Sequence, residues 1–255
     1  MILCLDVGNT NIKAGVFKAG ELLNSWRVAA DYNKTADEYG IALIELLKSA
    51  GISPKDIRGA IVASVIPQLN YTLEHMLDYY FKAKPIMVSS DVKTGLDFKY
   101  ENPRELGADR IVNSVCAFKK YGGPLIVVDF GTATTFNAIS SKGEFLGGCI
   151  CPGVKTSLES LVKSAAKLPR IELVKPKSVI GRNTIASMQS GAVFGLAGQV
   201  RNIVGLIKEE MNEPNVKVVA TGGLSEFVRE EKGLIDIYDR RLSLDGLKMV
   251  YDLNC

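Results

Sequence analysis

The feature that most narrows the folds open to this chain is a repeat of its own opening. The stretch "ILCLDVGNTNIKAGVFKAGELLNS" from Ile2 lies without a gap over "LIVVDFGTATTFNAISSKGEFLGG" from Leu125. Asp6 falls on Asp129, Gly8 on Gly131, Asn11 on Thr134, Gly20 on Gly143, Glu21 on Glu144 and Leu23 on Leu146, every pair 123 positions apart (129 against 6). Two buried strands ending in Asp-x-Gly look alike easily, since both residues are common turn formers. A match that also carries the second hairpin points instead to a duplicated unit. Such a chain is α/β, each half opening on a strand, an acidic turn and a hairpin. The two acidic turns are expected to face each other across a cleft, with room for a phosphate chain and its cations.

Apolar runs and turn residues predict strands over 1–7, 12–17, 21–28 and 57–65. Helices are expected over 35–50, opened by the capping box Thr35-Ala-Asp-Glu38, over 67–82, opened by proline, and over 152–168, 184–211 and about 244–253. The long helix holds Gly191, Gly195, Gly198 and Gly205, each costing up to ~1 kcal/mol against Ala in a helix interior. Small residues spaced this way imply close approach by another backbone. The stretch "VKVVATGGLS" over 216–225 reads as a strand entering a double-glycine turn at a helix start, where a nucleotide could rest on peptide N–H groups.

Composition excludes several classes. At 255 residues, 47% hydrophobic and 23% charged, the chain has the make-up of a soluble globular protein of one large domain or two. Its five cysteines (Cys4, Cys116, Cys149, Cys151, Cys255) suggest no disulfide framework and follow no secretory segment, so reduced thiols and a cytoplasmic location are expected. Asp6 cuts the first apolar run far short of the roughly 18 residues a membrane helix needs. No other run of that kind is evident, and no membrane partner is expected. A net charge of +3, with Lys and Arg scattered, gives no footprint for nucleic acid.

The turn "DVGNTNIK", 6–13, is neither a P-loop nor a dinucleotide fingerprint. Gly8 lets the backbone fold back, Asn9, Thr10 and Asn11 offer N–H and hydroxyl donors, and Lys13 offers a cation for phosphoryl oxygens. Asp6 suits Mg²⁺, held directly or through water, since magnesium takes few carboxylates. The stretch Asp129-Phe-Gly-Thr-Ala-Thr-Thr135 is a second jaw, rich in hydroxyls but without a lysine. Taken singly, each turn is equally a plain Asx turn. In "YENPRELGADR", 100–110, Asn102 reads as a cap, Pro103 as the first helical residue and Glu105 as the third. Asp109 and Arg110 then sit early in a helix whose Ile111, Val112, Val115 and Cys116 face the core. A carboxylate there is favoured as the anion by the helix N-terminus and the neighbouring Arg, able to take a proton. By itself the cluster reads as a surface ion pair near a cap. His75, the one histidine, has no nucleophile or acid at recognisable spacing, which argues against a His-based hydrolase. Cys149-x-Cys151 is too close for a usual zinc pair.

Taken together, "DVGNTNIK", "SVIPQLN", "NPRELGADR", "DFGTATTF", "GGCICPG", "GRNT", "QSGAVFG" and "TGGL" resemble, in order, the motifs of type III pantothenate kinases. The resemblance implies two ribonuclease H-like domains around a nucleotide cleft, 1–118 and 119–255, in the acetate and sugar kinase/Hsp70/actin superfamily. It implies ATP-dependent phosphorylation of pantothenate to 4'-phosphopantothenate, the first step of coenzyme A biosynthesis. Carried over by position, Asp6, Val7, Gly8, Asn9, Thr10, Asn11, Ile12 and Lys13 would bind ATP phosphates, Asp6 on the magnesium side. Tyr100, Gly107, Ala108, Asp109, Arg110 and Thr184 would contact pantothenate, with Asp109 as the base. Thr132 would touch a nucleotide phosphate and Asp129 would ligate K⁺ or NH₄⁺. A homodimer is implied, the partner helping to close the pantothenate pocket. Asn137 stands where Asp is expected, and Cys151 where Ala is expected. Two alternatives share the pattern: another small-alcohol kinase of the superfamily, and a non-catalytic accessory transcription factor.

Overall fold

In the computed structural model, which describes residues 1–229, 231 and 233–255, the chain forms two units, Met1–Lys119 with Arg241–Cys255, and Lys120–Arg240. The first unit runs through β1 (Ile2–Val7), β2 (Asn11–Lys18), β3 (Glu21–Ala29), α1 (Ala36–Ser49), β4 (Gly59–Ser64), α2 (Pro67–Phe81), β5 (Pro85–Met87), β6 (Asp97–Phe98) and α3 (Ala108–Tyr121), whose last two residues count with the second unit. The second holds β7 (Leu125–Phe130), β8 (Ala133–Ile139), β9 (Glu144–Pro152), α4 (Val154–Ser164), α5 (Thr184–Met211), β10 (Lys217–Thr221) and β11 (Ile237–Tyr238). The chain then returns to the first unit as α6 (Leu242–Asn254).

Strand order in the first unit is β3-β2-β1-β4-β5, with β1 antiparallel to β2 and parallel to β4. Alternation along β1 decides what each face does. Leu3, Leu5 and Val7 join Ile12, Ala14, Val16 and Val62 in a core closed by Leu43 and Leu47 of α1 and by Leu69 and Leu73 of α2. Cys4 and Asp6 take the other face, the one α6 covers. Burial pushes the Cys4 thiol up, and Lys248, Asp252 and Asp245 of α6 also act on it. The capping box forms as expected: Glu38 N–H donates to Thr35 Oγ1 at 3.3 Å, and Thr35 N–H donates to Glu38 Oε2 at 2.8 Å. In the second unit the strands lie β11-β10-β7-β8-β9. Ile126, Val128, Phe130, Val218 and Ala220 pack there under Leu196, Val200, Val204 and Ile207 of α5.

The two copies of the repeat differ by one residue within the hairpin. In the first, Asp6 pairs with Lys13 and Val7 with Ile12, leaving 8–11 as the turn. In the second, Asp129 pairs with Thr135 and Phe130 with Thr134, leaving only 131–133. Spatially, then, Thr135 stands where Lys13 stands, although the ungapped alignment sets Asn11 against Thr134. The next hairpin restores the count, since Phe17↔Leu22 encloses 18–21 while Ile139↔Phe145 encloses 140–144. Two compensating one-residue changes are invisible to an alignment without gaps.

Several expectations change. The second domain was expected to run to residue 255, but α6 packs on β1, β2 and β4 of the first unit. Its buried Leu242, Leu247 and Val250 need that apolar surface. The helix expected to start at Pro103 is two elements: Pro103–Glu105 is a single 3-10 turn, Leu106 is extended, and α3 begins at Ala108. Asn102 accordingly caps no helix and donates its side-chain amide to Glu105 Oε1 at 2.7 Å. Among the described residues the glycines of α5 meet no close backbone; a Cβ at Gly191, Gly195, Gly198 or Gly205 would find nothing within 4 Å. By length and composition alone α5 is apolar enough to cross a membrane, contrary to the run-length expectation. Its Leu196, Val200 and Val204 are buried in the second unit's core.

The seat of α6 makes a direct prediction. A Cβ on Gly246 would collide with the Val112 carbonyl oxygen of α3 and come within 3.2 Å of Cys116 Cβ. Alanine gains up to ~1 kcal/mol of helix propensity, but forcing atoms into a packed site costs about 1–3 kcal/mol, and a backbone carbonyl cannot rotate away. Gly246→Ala is therefore expected to lower the urea midpoint; an unchanged or raised midpoint contradicts this packing.

Candidate active site

Asp6, next to last in β1, has 7% of its surface exposed. Directly across the hairpin, Lys13 Nζ donates to Asp6 Oδ2 at 2.9 Å and also to Ser243 Oγ of α6 at 3.3 Å. The ion pair leaves one Asp6 carboxylate oxygen outside the lysine contact. The turn that sets this pairing is closed by Gly8 N–H to Asn11 C=O at 3.0 Å, and Thr10 C=O accepts from Ala30 N–H at 3.0 Å. The Gly8 N–H is therefore used within the turn, in keeping with Gly8 as the residue that lets the backbone fold back. Val7 and Ile12 are buried and serve the core, while Asn9, Thr10 and Asn11 are exposed.

Asp109 is the second residue of α3, in its first turn, and its Oδ1 accepts the Arg110 N–H at 2.8 Å. Its carboxyl is raised above the usual carboxylate range, first by burial and further by the Asp6 charge, with the Arg110 N–H and guanidinium opposing. That reverses the expectation that the helix terminus and Arg110 would dominate; removal from water outweighs both. Gly107 leaves room for this carboxylate, since a Cβ there would come within 2.5 Å of Asp109 Oδ1. Ala108 and Arg110 are buried, and the guanidinium lies 5.8 Å from the centre of the Tyr100 ring. The first unit thus gathers Asp6, Lys13, Asp109, Arg110 and Tyr100. A raised carboxyl beside a cation and an aromatic ring suits proton transfer with a polar, anionic molecule.

In the second unit Asp129, next to last in β7, lies beside Gly222, whose φ of +92° only glycine adopts easily. A Cβ at Gly222 would lie 2.6 Å from the Phe130 carbonyl oxygen and 2.7 Å from Asp129 Oδ1. Ser225 Oγ ties the same turn by donating to Gly222 C=O at 2.8 Å. A carboxylate and a carbonyl oxygen thus converge on a space bounded by bare backbone, a donor set of hard oxygens that suits a hard cation. The Thr132 carbonyl accepts Gly153 N–H at 2.9 Å and Thr156 Oγ1 at 2.8 Å, which fixes the short turn. Thr184 opens α5 in the wall of an apolar groove of about 830 Å³ between α4 and α5, which neither Asp129 nor Thr132 lines. Sequence reasoning passed over Ser243 and gave Gly222 only a general nucleotide role. Nothing in the local pattern marks Ser243, whereas the double glycine of "TGGLS" signals Gly222.

A family model described as type III pantothenate kinase matches residues 2–205. Among solved structures, a Campylobacter jejuni protein assigned by name to the Baf family of transcriptional activators is 19% identical, with 98% of this chain and 97% of that one covered at a TM-score of 0.62. The ROK family glucokinase of Streptomyces griseus, solved with glucose and AMPPNP, is 12% identical, with 99% and 98% covered at 0.52. The inorganic polyphosphate/ATP-glucomannokinase of Arthrobacter sp. strain KM is 11% identical, with 99% and 97% covered at 0.51. These likenesses show the fold alone, a two-sheet α/β arrangement.

The raised Asp109 carboxyl has a consequence for stability. A group whose folded pKa exceeds its unfolded one contributes fully below the unfolded value, about 4, and that contribution is lost as pH rises through the folded pKa. Asp109→Asn keeps the acceptor for the Arg110 N–H and removes the half-buried charge. The variant is expected to be more stable than the wild type at pH 7 to 8 and to converge with it toward pH 4, by chemical denaturation. A variant less stable at pH 8 contradicts the assigned burial.

Proposed function

The chain belongs to the type III pantothenate kinase family, and on that premise we propose that it phosphorylates pantothenate with ATP, giving 4'-phosphopantothenate and ADP. The observation that carries this reading is the raised Asp109 carboxyl in the same unit as the Asp6–Lys13 pair. The primary hydroxyl oxygen of pantothenate bonds to the γ-phosphorus, the bond from that phosphorus to the β,γ-bridging oxygen breaks, and the hydroxyl proton passes to Asp109. Phosphoryl transfer through a loose transition state asks mainly for positioning and charge stabilisation, and the proton leaves late. A carboxylate somewhat more basic than usual suits that task.

Lys13 is assigned to the phosphoryl oxygens, and the exposed Asn9, Thr10 and Asn11 to donor contacts beside it. Asp6 would hold Mg²⁺ through its remaining oxygen and water, and the ion would supply neutralisation of the phosphate charge. In the second unit Asp129, with the carbonyl beside it, would hold K⁺ or NH₄⁺, and Thr132 is assigned to a nucleotide phosphate. Arg110 meets the pantothenate carboxylate, with Tyr100 and Thr184 as further contacts. A homodimer is supported by the exposed glycine face of α5 and the apolar groove beside it, which are open within one chain. The Campylobacter likeness shows fold alone, and this chain carries Asp6, Lys13, Asp109 and Asp129, which speaks for catalysis.

Turnover should be fastest with pantothenate when ADP release is followed across a panel that includes glucose and N-acetylglucosamine. A sugar taken in preference makes the chain another kinase of the superfamily, and no turnover with any alcohol favours the regulator. Asp109→Asn is expected to reduce kcat by ~10²–10⁴-fold, about 3–5 kcal/mol of barrier, with nucleotide affinity nearly unchanged. Near-normal turnover would remove Asp109 as the base. Asp129→Ala should weaken activity in a way extra Mg²⁺ does not repair, and equal rates in sodium and potassium buffers would refute the monovalent site. Light scattering should give a dimer; a fully active monomer would refute the shared pocket.

A further inference from the structure

The terminal helix lies beyond the family match, which ends at residue 205, yet it supplies the second acceptor for Lys13. Ser243 is 4% exposed, and its hydroxyl stands 3.3 Å from Lys13 Nζ while Asp6 Oδ2 stands at 2.9 Å. The helix has little freedom to move the hydroxyl away. Leu242 and Leu247 are 0% exposed, Leu244 packs over Gly15 of β2, and Gly246 lies against the Val112 carbonyl of α3.

A lysine has three donors on a flexible four-carbon stem, so one carboxylate partner fixes neither the ammonium's position nor its direction. A second acceptor on a rigid helix narrows the directions that the remaining N–H groups can take. A neutral hydroxyl at 3.3 Å gives the ammonium a second fixed direction without cancelling its charge. We propose that Ser243 is a positioning residue that, together with Asp6, fixes the direction of the Lys13 ammonium for the nucleotide phosphates. This rests on the assignment of Lys13 to phosphate.

The test is calorimetric titration with AMPPNP of the wild type, Ser243→Ala, Ser243→Thr and Leu247→Ala, with steady-state kinetics alongside. Losing a hydrogen bond to a charged group is expected to weaken AMPPNP binding by roughly tenfold in Ser243→Ala. KM for ATP should rise with it, KM for pantothenate should stay unchanged, and Ser243→Thr should restore the affinity. Leu247→Ala, which loosens the same helix without touching Lys13, should lower the melting temperature but leave AMPPNP affinity in place. In a Lys13→Met background, Ser243→Ala should have no further effect. Wild-type affinity in Ser243→Ala overturns the proposal, as does an equal loss in Leu247→Ala or an undiminished effect in the Lys13→Met background. A wild type that binds no AMPPNP overturns it together with the nucleotide assignment. Binding that follows this pattern without turnover of pantothenate refutes the substrate and leaves the positioning role standing.

Discussion

The pairing of Asp6 with Lys13 across the first hairpin is the contact on which the rest of the site depends. A carboxylate taken almost entirely out of water costs several kcal/mol unless it is paired and hydrogen-bonded. Asp6 is tolerated at 7% exposure because the four-residue turn brings Lys13 opposite it at 2.9 Å. The pairing in turn needs the β1–β2 register, the register needs Leu3, Leu5 and Val7 on the core face, and α6 must return to roof the opposite face. The charge so buried then acts on Asp109 and helps hold that carboxyl protonated to higher pH.

The second unit shows what the same device does with one residue fewer. Shortening the turn puts Thr135 rather than a lysine opposite Asp129. Asp129 lies instead against the backbone of Gly222 and the Phe130 carbonyl. One duplicated hairpin thereby sets an ammonium beside its carboxylate in one unit and a threonine opposite its carboxylate in the other.

Much of this was legible in the sequence because it rests on local rules. The bounds of α5, the capping box at Thr35, the first strands and the duplication all follow from periodicity, caps and turn residues. What escaped depends on contacts distant in sequence or on balances of opposing effects. The start of α3 was misplaced because Asn102-Pro103-Arg104-Glu105 satisfies helix-start chemistry, while extended Leu106 ends the turn after one round. The direction of the Asp109 shift was reversed because burial is a tertiary property that no neighbour in sequence reports. The unit to which α6 belongs is set by what it covers, and Ser243, 230 residues from Lys13, carries no local mark.

The account's central claim is a phosphoryl transfer to one hydroxyl, and ³¹P NMR of the chain with ATP, Mg²⁺, K⁺ and pantothenate observes that bond directly. A phosphomonoester resonance coupled to the methylene of pantothenate's primary alcohol should grow in step with ADP. ADP accompanied only by inorganic phosphate, or no consumption of ATP while pantothenate is present, would contradict it.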